Sequence, residues 1–338
     1  MKQPSNSISP QRMAKWLGWC LMALVIYAMV SAVILFTSLL LLQRGILSDL
    51  PWVSIVQAHL YSKWSRNIWQ TQADCVVFDP EVIYKPKHGV CHFDNVEFRT
   101  VLNFSAEGRY TGDKPAGKGI AVLGDSHAMG WGVGDEETFS AELQRLSGRP
   151  VYNLAVSSYG TVRELMWMEK SGLLDKVDTI IIQYCDNDLE ENVGFRSPSP
   201  QDTQKKFATI TQARAASLSS ELKLLNKGYW FTFRTPFSSL SKRLSPKPAK
   251  SFLPHYQPVI DAISQHEALK SKRIIVFYSN VHGGKFRAFP AGKDRQLPNV
   301  EFVDLSLERN DYYRIDGHLT SAGHRKAGQH LFDLIRPQ

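Results

Sequence analysis

From Trp16 to Gln43 the chain carries no charged side chain, a run of 28 residues where about 20 suffice to cross the hydrocarbon core of a bilayer. Leu, Val, Ile, Ala and Met surround all faces of this run instead of forming one stripe, which predicts a transmembrane helix and not a buried core helix. Lys2, Arg12 and Lys15 precede it while only Arg44 follows closely. The positive-inside bias then places residues 1–15 in the cytoplasm, a signal-anchor helix over 16–43 in the cytoplasmic (inner) membrane, and the rest of the chain on the extracytoplasmic, periplasmic side. A cleavable signal peptide would have a shorter apolar region and a small-x-small site, which Val30, Ala32 and their neighbours match poorly.

The remainder of the chain is long enough to bury a full core, the whole having 338 residues, 43% hydrophobic and 21% charged. The net charge of +8 comes from scattered Lys and Arg with no nucleic-acid motif among them, so no nucleic-acid partner is expected, only mild attraction to anionic lipid or polysaccharide. Cys75 and Cys91 flank a short segment containing Pro and Gly. In an oxidising compartment they can close a disulfide, contributing about 3 kcal/mol by loop entropy; two unrelated buried thiols are the alternative. Cys20, in the span, and Cys185, in a predicted strand, read as small apolar fillers.

Beyond the span, Trp52, Val56, Leu60, Trp64 and Ile68 recur every fourth residue and predict an amphipathic juxtamembrane helix over 48–70, lying on the leaflet or packing on the domain. Residues 71–117 hold short alternating runs such as Val96 to Val101 between turn residues and predict a small β-rich appendage. From 118 to 338 strands and helices alternate, which predicts an α/β fold with a parallel sheet covered on both sides. The expected strands are 119–123, 151–156, 179–184, 273–278 and 300–305, and the expected helices lie near 137–147, 161–172, 256–270 and 320–334. Residues 195–250 interrupt the alternation as an insertion containing Trp230, Phe231, Phe233 and Phe237, readable as a substrate lid, a membrane-touching element or a solvated excursion.

In an open parallel sheet, ligands bind beyond the carboxyl ends of the strands, and four polar sites fall there. They are Gly124-Asp125-Ser126-His127, the small-residue loop from Asn153 to Thr161, Tyr184-Cys185-Asp186-Asn187-Asp188, and Asp316-Gly317-His318 before the last helix. A serine hydroxyl needs an imidazole base, and the base an orienting carboxylate; Ser126, His318 and Asp316 are those residue types. The G-x-S-x-G elbow is absent because Ala128 stands at its last position.

These four elements, in this order, resemble the SGNH/GDSL hydrolase superfamily over roughly residues 118–335, in particular the SGNH domains of envelope polysaccharide esterases and acetyltransferases. The resemblance implies a flavodoxin-like three-layer α/β/α sandwich. It also implies Ser126 as nucleophile and first oxyanion amide, Asn187 as side-chain oxyanion donor and His318 as base. The family's second-block glycine falls on Ser158, with Gly160 two positions on, and either amide serves as the third donor. Many members have the acid three positions before the histidine, where this chain has Ile315; Asp316 stands at minus two.

Asp125, His127, Trp131 and Tyr159 are expected to line the substrate site. Asp125 reads equally as a turn residue, and Phe139 and Tyr159, like most aromatics near a sheet edge, read more readily as ordinary packing. No metal-ligand spacing occurs around His318 and His324, and neither a metal nor a nucleotide cofactor is implied. The expected activity is an acyl or acetyl esterase acting on an acylated glycan or lipid. Transfer of the same acyl group to an envelope polysaccharide, or a non-catalytic glycan-binding scaffold, are the alternatives.

Overall fold

The computed structural model describes residues 10–43, 51–62, 66–185, 188, 191–192, 199–218, 227–234, 253–279, 292–294 and 297–336. The chain divides into two compact units, Met1–Ser65 with Ser220–Lys247, and Arg66–Ser219 with Pro248–Gln338.

The first unit contains α1 (Pro10–Gln43) and α2 (Pro51–Leu60), with a further helix, α7, over 227–234. Residues Gln11–Leu41 of α1 form a helix long and apolar enough to cross a membrane. Among the described residues, the periodicity read over 48–70 is helical in α2 and the turn after it, residues 66–68 are not helical, and a single 3-10 turn follows at Trp69–Thr71. Tertiary bonds override the local pattern there: the Asn67 amide donates to Asn95 Oδ1 at 2.8 Å, and its side chain donates to the Asp94 carbonyl at 2.7 Å.

Among the described residues, the second unit is built on a nine-stranded sheet. Its central strands are β6 (Gly119–Leu123), β7 (Val151–Asn153), β8 (Val177–Tyr184), β9 (Arg273–Tyr278) and β11 (Val300–Val303). They run parallel in the spatial order β7-β6-β8-β9-β11, so their chain order reads 2-1-3-4-5, the flavodoxin-like arrangement whose direction of winding reverses beside its first strand. A short β10 (Gly292–Lys293) pairs antiparallel with β11 at one edge.

Alternate residues of each strand feed different cores. Ile120, Val122, Ile181 and Ile275 pack with Phe139 and Leu143 of α4 (Phe139–Ser147) and Ala327 and Leu331 of the last helix, α9 (Ser321–Ile335). Ala121, Leu123, Ile180, Ile182 and Ile274 pack with Leu165 and Met168 of α5 (Thr161–Ser171) and Val259, Ile260 and Ile263 of α8 (Leu253–Ser264). Burial on both faces is why these strands are continuous apolar runs, each large aliphatic side chain contributing about 1.5–3 kcal/mol.

The β-rich stretch ahead of this sheet is partly continuous with it. β1 (Val76–Asp79) and β2 (Ile83–Pro86) form a separate antiparallel ribbon. β3 (Gly89–Asp94), β4 (Arg99–Ser105) and β5 (Gly108–Arg109) extend the main sheet antiparallel from β7. The alternating run from Val96 to Val101 is split, because the Asn95 amide bonds the Phe98 carbonyl at 2.9 Å and closes a hairpin before β4 begins. Cys75 and Cys91 are joined by a disulfide, their Cα atoms 5.5 Å apart. Of the insertion, α6 (Pro200–Leu218) and α7 are described, whereas Phe237 lies outside the described residues.

Candidate active site

Strand β6 is followed by Gly124, whose φ of +145° and surroundings admit no side chain: an added Cβ would lie 2.6 Å from the Ala128 Cβ and 2.7 Å from Gln183 Oε1. The chain thus turns directly into the short helix α3 (Ser126–Met129), capped by the Asp125 carboxylate accepting the His127 amide at 2.9 Å. Gln183 of β8, fully buried, holds this turn from the neighbouring strand. Its Oε1 accepts the Asp125 and Ala128 amides at 3.1 and 3.2 Å, and its Nε2 donates to Ser279 Oγ at 2.9 Å.

Ser126 and His318, 192 positions apart, meet here: Ser126 Oγ lies 2.7 Å from His318 Nε2. The other ring nitrogen, Nδ1, is hydrogen-bonded to Asp316 Oδ1, which leaves Nε2 as the acceptor facing the serine. The loop presenting Asp316 and His318 is closed by the Tyr313 amide donating to the His318 carbonyl at 2.8 Å and a bridge between Tyr312 and Leu319.

Three charged residues between Arg66 and Arg109 hold this constellation, and the sequence did not mark them. Glu97, at the β3–β4 hairpin tip, accepts the backbone amides of Arg314, Ile315 and Asp316 at 2.8, 2.8 and 2.7 Å. Arg66 Nε lies 3.4 Å from Asp316 Oδ2. The guanidinium of Arg109, fully buried on β5, donates to the carbonyls of Met129, Gly130 and Val133 at 2.5–2.6 Å and to Asp135 Oδ1 at 2.9 Å, fixing the segment after α3. The only local hint was a charged residue in a hairpin, which describes most hairpins.

The expected oxyanion loop follows β7. Beyond Asn153 it stays against the nucleophile turn, the Val156 amide bonding the Gly124 carbonyl at 3.0 Å. Ser158 has φ +62°, in the left-handed region that favours glycine, and its Oγ accepts from Gln70 Nε2 at 3.1 Å. Gly160 is the extended N-cap of α5, and a Cβ there would meet Glu191 Cγ at 2.5 Å. Asn187 lies outside the described residues; of those flanking it, the Cys185 amide donates to Asp188 Oδ2 at 2.7 Å.

The expected substrate-lining set needs correction at three of four positions. Asp125 is 2% exposed and its Oδ2 accepts from the Cys185 thiol at 3.0 Å, so it holds the nucleophile turn from beneath. Trp131 is 2% exposed, lies edge-on to Phe93 and Phe98, and donates Nε1–H to Asp316 Oδ2 at 3.4 Å. Tyr159 is fully buried, its hydroxyl donating to the Tyr84 carbonyl and its ring lying under Arg163. The β-rich stretch covers what would otherwise be an aromatic cleft wall. His127 does stand beside His318, ring centroids 4.5 Å apart. Burial first, and then the charge of His318, push its pKa down to about 3, so it is neutral at neutral pH. His324, considered beside His318 as a ligand, instead accepts the Phe139 amide on Nδ1 at 3.1 Å.

Beneath Ser126 lies a buried acidic group. Ligand atoms of Asp125, Cys185 and Asp188 fall within 4.8 Å of one another, an arrangement that can hold a metal ion or share protons. Burial, then the Asp125 charge, raise both Asp188 and Glu164 well above ordinary carboxyl values. Burial also opposes ionisation of Asp125, but His127 and the bonds from Cys185 and the His127 amide hold it below its ordinary value. Burial here thus favours the acid forms of Asp188 and Glu164, while the bonds to Asp125 favour its carboxylate. Cys185, expected as an apolar filler, is a donor within it.

No protein-family model matches the chain, and no curated protein matches it by sequence. Among solved structures it is similar to a carbohydrate acetylesterase family member from Sinorhizobium meliloti, at 13% identity and a TM-score of 0.32 over 65% of this chain and 97% of the other. It is likewise similar to a carbohydrate esterase family 2 enzyme with a carbohydrate-binding domain from Corynascus thermopiles (Myceliophthora fergusii), at 14% identity and a TM-score of 0.31 over 68% of each chain. At identities and scores this low the likenesses transfer neither substrate nor mechanism, so the functional reading rests on the geometry of Ser126, His318 and Asp316.

Proposed function

We propose that this chain is a membrane-anchored serine ester hydrolase that removes acyl groups from an extracytoplasmic acylated glycan or lipid. One observation carries the reading: Ser126 Oγ lies 2.7 Å from His318 Nε2, while Asp316 takes the opposite ring nitrogen. In this reading Ser126 Oγ attacks the ester carbonyl carbon as its proton passes to Nε2, and Asp316 steadies the imidazolium. His318 returns that proton to the departing alkoxide, leaving an acyl-serine. Water, deprotonated by the same Nε2, then releases the acid and restores the serine.

The oxyanion is assigned to the Ser126 amide, the Asn187 side chain and one amide of the β7 loop. The glycine-like φ of +62° at Ser158 favours the Ser158 amide over that of Gly160. The extracytoplasmic placement is supported by the charge asymmetry around the span and by the Cys75–Cys91 disulfide.

The test is turnover of p-nitrophenyl acetate by the full chain, together with labelling by a fluorophosphonate. Hydrolysis and a single adduct on Ser126, both abolished in Ser126→Ala, are expected. Undiminished hydrolysis in Ser126→Ala and His318→Ala would remove the assignment.

A further inference from the structure

Within the first unit, α1 is not covered evenly. Residues 11–26 are exposed on every side, whereas from Tyr27 onward one side is covered, with Ser31, Leu35 and Ser38 at 0–3% exposure. Part of that cover is α7, taken from the insertion some 200 residues later. The Tyr27 hydroxyl donates to the Phe233 carbonyl at 2.6 Å, with ring centroids 4.9 Å apart, and the Tyr229 hydroxyl donates to the Ala28 carbonyl at 3.4 Å. Phe231 stacks on His59 at 3.7 Å, and Thr232 is fully buried. Trp230 is 47% exposed, with its ring edge-on to those of Tyr229 and Phe233.

These contacts fix the depth of α7 along α1. With Lys15 at one headgroup layer and a rise of about 1.5 Å per residue, the Tyr27–Ala28 level lies about 20 Å further on, inside a core about 30 Å thick. The bare side of α1 continues past that level, with Met29, Val30, Val33, Phe36 and Leu40 exposed by 44–63%. A helix segment needing lipid on its open side has the same lipid beside whatever occupies its other side. The composition of α7 suits such a depth: Tyr229 and Trp230 belong to the residue types of the interfacial belt, while Lys227 and Arg234, both exposed at its ends, have stems long enough to reach headgroups.

We propose that residues 227–234 are a second membrane-embedded element, seated beside α1 in the leaflet far from the N-terminus, with Trp230 turned to lipid. The proposal rests on α1 spanning the bilayer, and it makes the insertion part of the anchor, not a lid.

The test places the full chain in phosphatidylcholine–phosphatidylglycerol vesicles containing a phosphatidylcholine with a photoactivatable diazirine on its acyl chain, followed by peptide mapping. Adducts are expected on residues 11–41 and on the tryptic peptide 228–234. In Trp230→Ala, an exposed substitution, the yield on 228–234 should fall at least about threefold while that on α1 is unchanged. Adducts on 11–41 alone would overturn the embedding of α7 and leave the span intact. No adducts on either would overturn the span and the proposal with it. Independently, Trp230→Cys should react with a membrane-permeant maleimide and resist an impermeant one in intact vesicles; equal reaction with both contradicts the proposal.

Discussion

The parallel strands β6, β7, β8, β9 and β11 and the stretch from Arg66 to Arg109, whose strands β3–β5 extend the same sheet antiparallel, contribute to the site in different ways. The parallel strands place the proposed reacting groups at their carboxyl ends: Ser126 after β6, the Ser158 loop after β7, and Cys185 with Asp188 after β8. The antiparallel stretch delivers none of these. It supplies charges that grip the loops, with Glu97 on three amides of the Asp316 loop, Arg66 on the Asp316 carboxylate and Arg109 on the segment after α3. A triad read from motifs can therefore depend for its geometry on residues outside every motif.

The division of labour shows most clearly when a reacting group is removed. Ser126→Ala should lower ester hydrolysis by about 10⁴-fold or more, and adding His318→Ala should cost little further, because the two act as a unit. Additive losses in kcat would mean that they do not share a step.

Arg109→Leu probes the gripping side through stability. It leaves the Asp135 carboxylate buried beside carbonyls that have lost their donor, and breaking a buried pair in this way costs about 3–5 kcal/mol, measurable as a drop in the urea midpoint. An unchanged midpoint would show that the guanidinium is dispensable.

Glu97→Ala tests positioning directly. Releasing three amides of the Asp316 loop should lower kcat by about 10²-fold with KM little changed, whereas Glu97→Gln, which keeps one acceptor oxygen, should retain most of the rate. If Glu97→Ala turns over normally, the antiparallel stretch is only a cover and the contrast with the parallel strands fails.

The smallest effect concerns the buried acids under the nucleophile. Glu164 has a pKa raised well above its ordinary 4.5 by burial and then by Asp125, and neither carboxyl oxygen has a hydrogen-bond partner among the described residues. The folded protein therefore keeps a proton that the unfolded chain releases above about pH 4.5, and stability falls as pH rises from there. Glu164→Gln should flatten that decline, measured as urea midpoints at several pH values from 5 upward. Parallel curves for the two proteins would place the proton elsewhere. His127 works in the opposite sense: held near 3 when folded, it favours the folded state fully above its ordinary 6.5 and progressively less as pH falls from 6.5 towards 3.

Much of the parallel core was legible because each strand is buried on both faces and so must be apolar throughout; expected 273–278 and observed Arg273–Tyr278 coincide. The expected 151–156 ends early at Asn153 because the chain continues as an irregular loop that still bonds β6. Ser126, His318 and Asp316 were legible as residue types at strand ends. Trp131 and Tyr159 were misread as cleft walls because aromatic character does not say which neighbour will cover it. Gln183 was invisible, a polar residue inside an apolar run whose purpose emerges only when β8 lies beside β6.

The amino-acid order was enough to specify the apolar span, the alternation of strands and helices, and the kinds of group available at each strand end, because local periodicity and residue chemistry act over a few neighbouring positions. Folding alone decided that Ser126 meets His318 across 192 residues, that Glu97 and Arg109 grip loops remote from them in the chain, and that Tyr27 bonds Phe233. Such contacts depend on strand order and on which surface covers which, and those are settled by the packing of the whole chain and not by any short stretch of it.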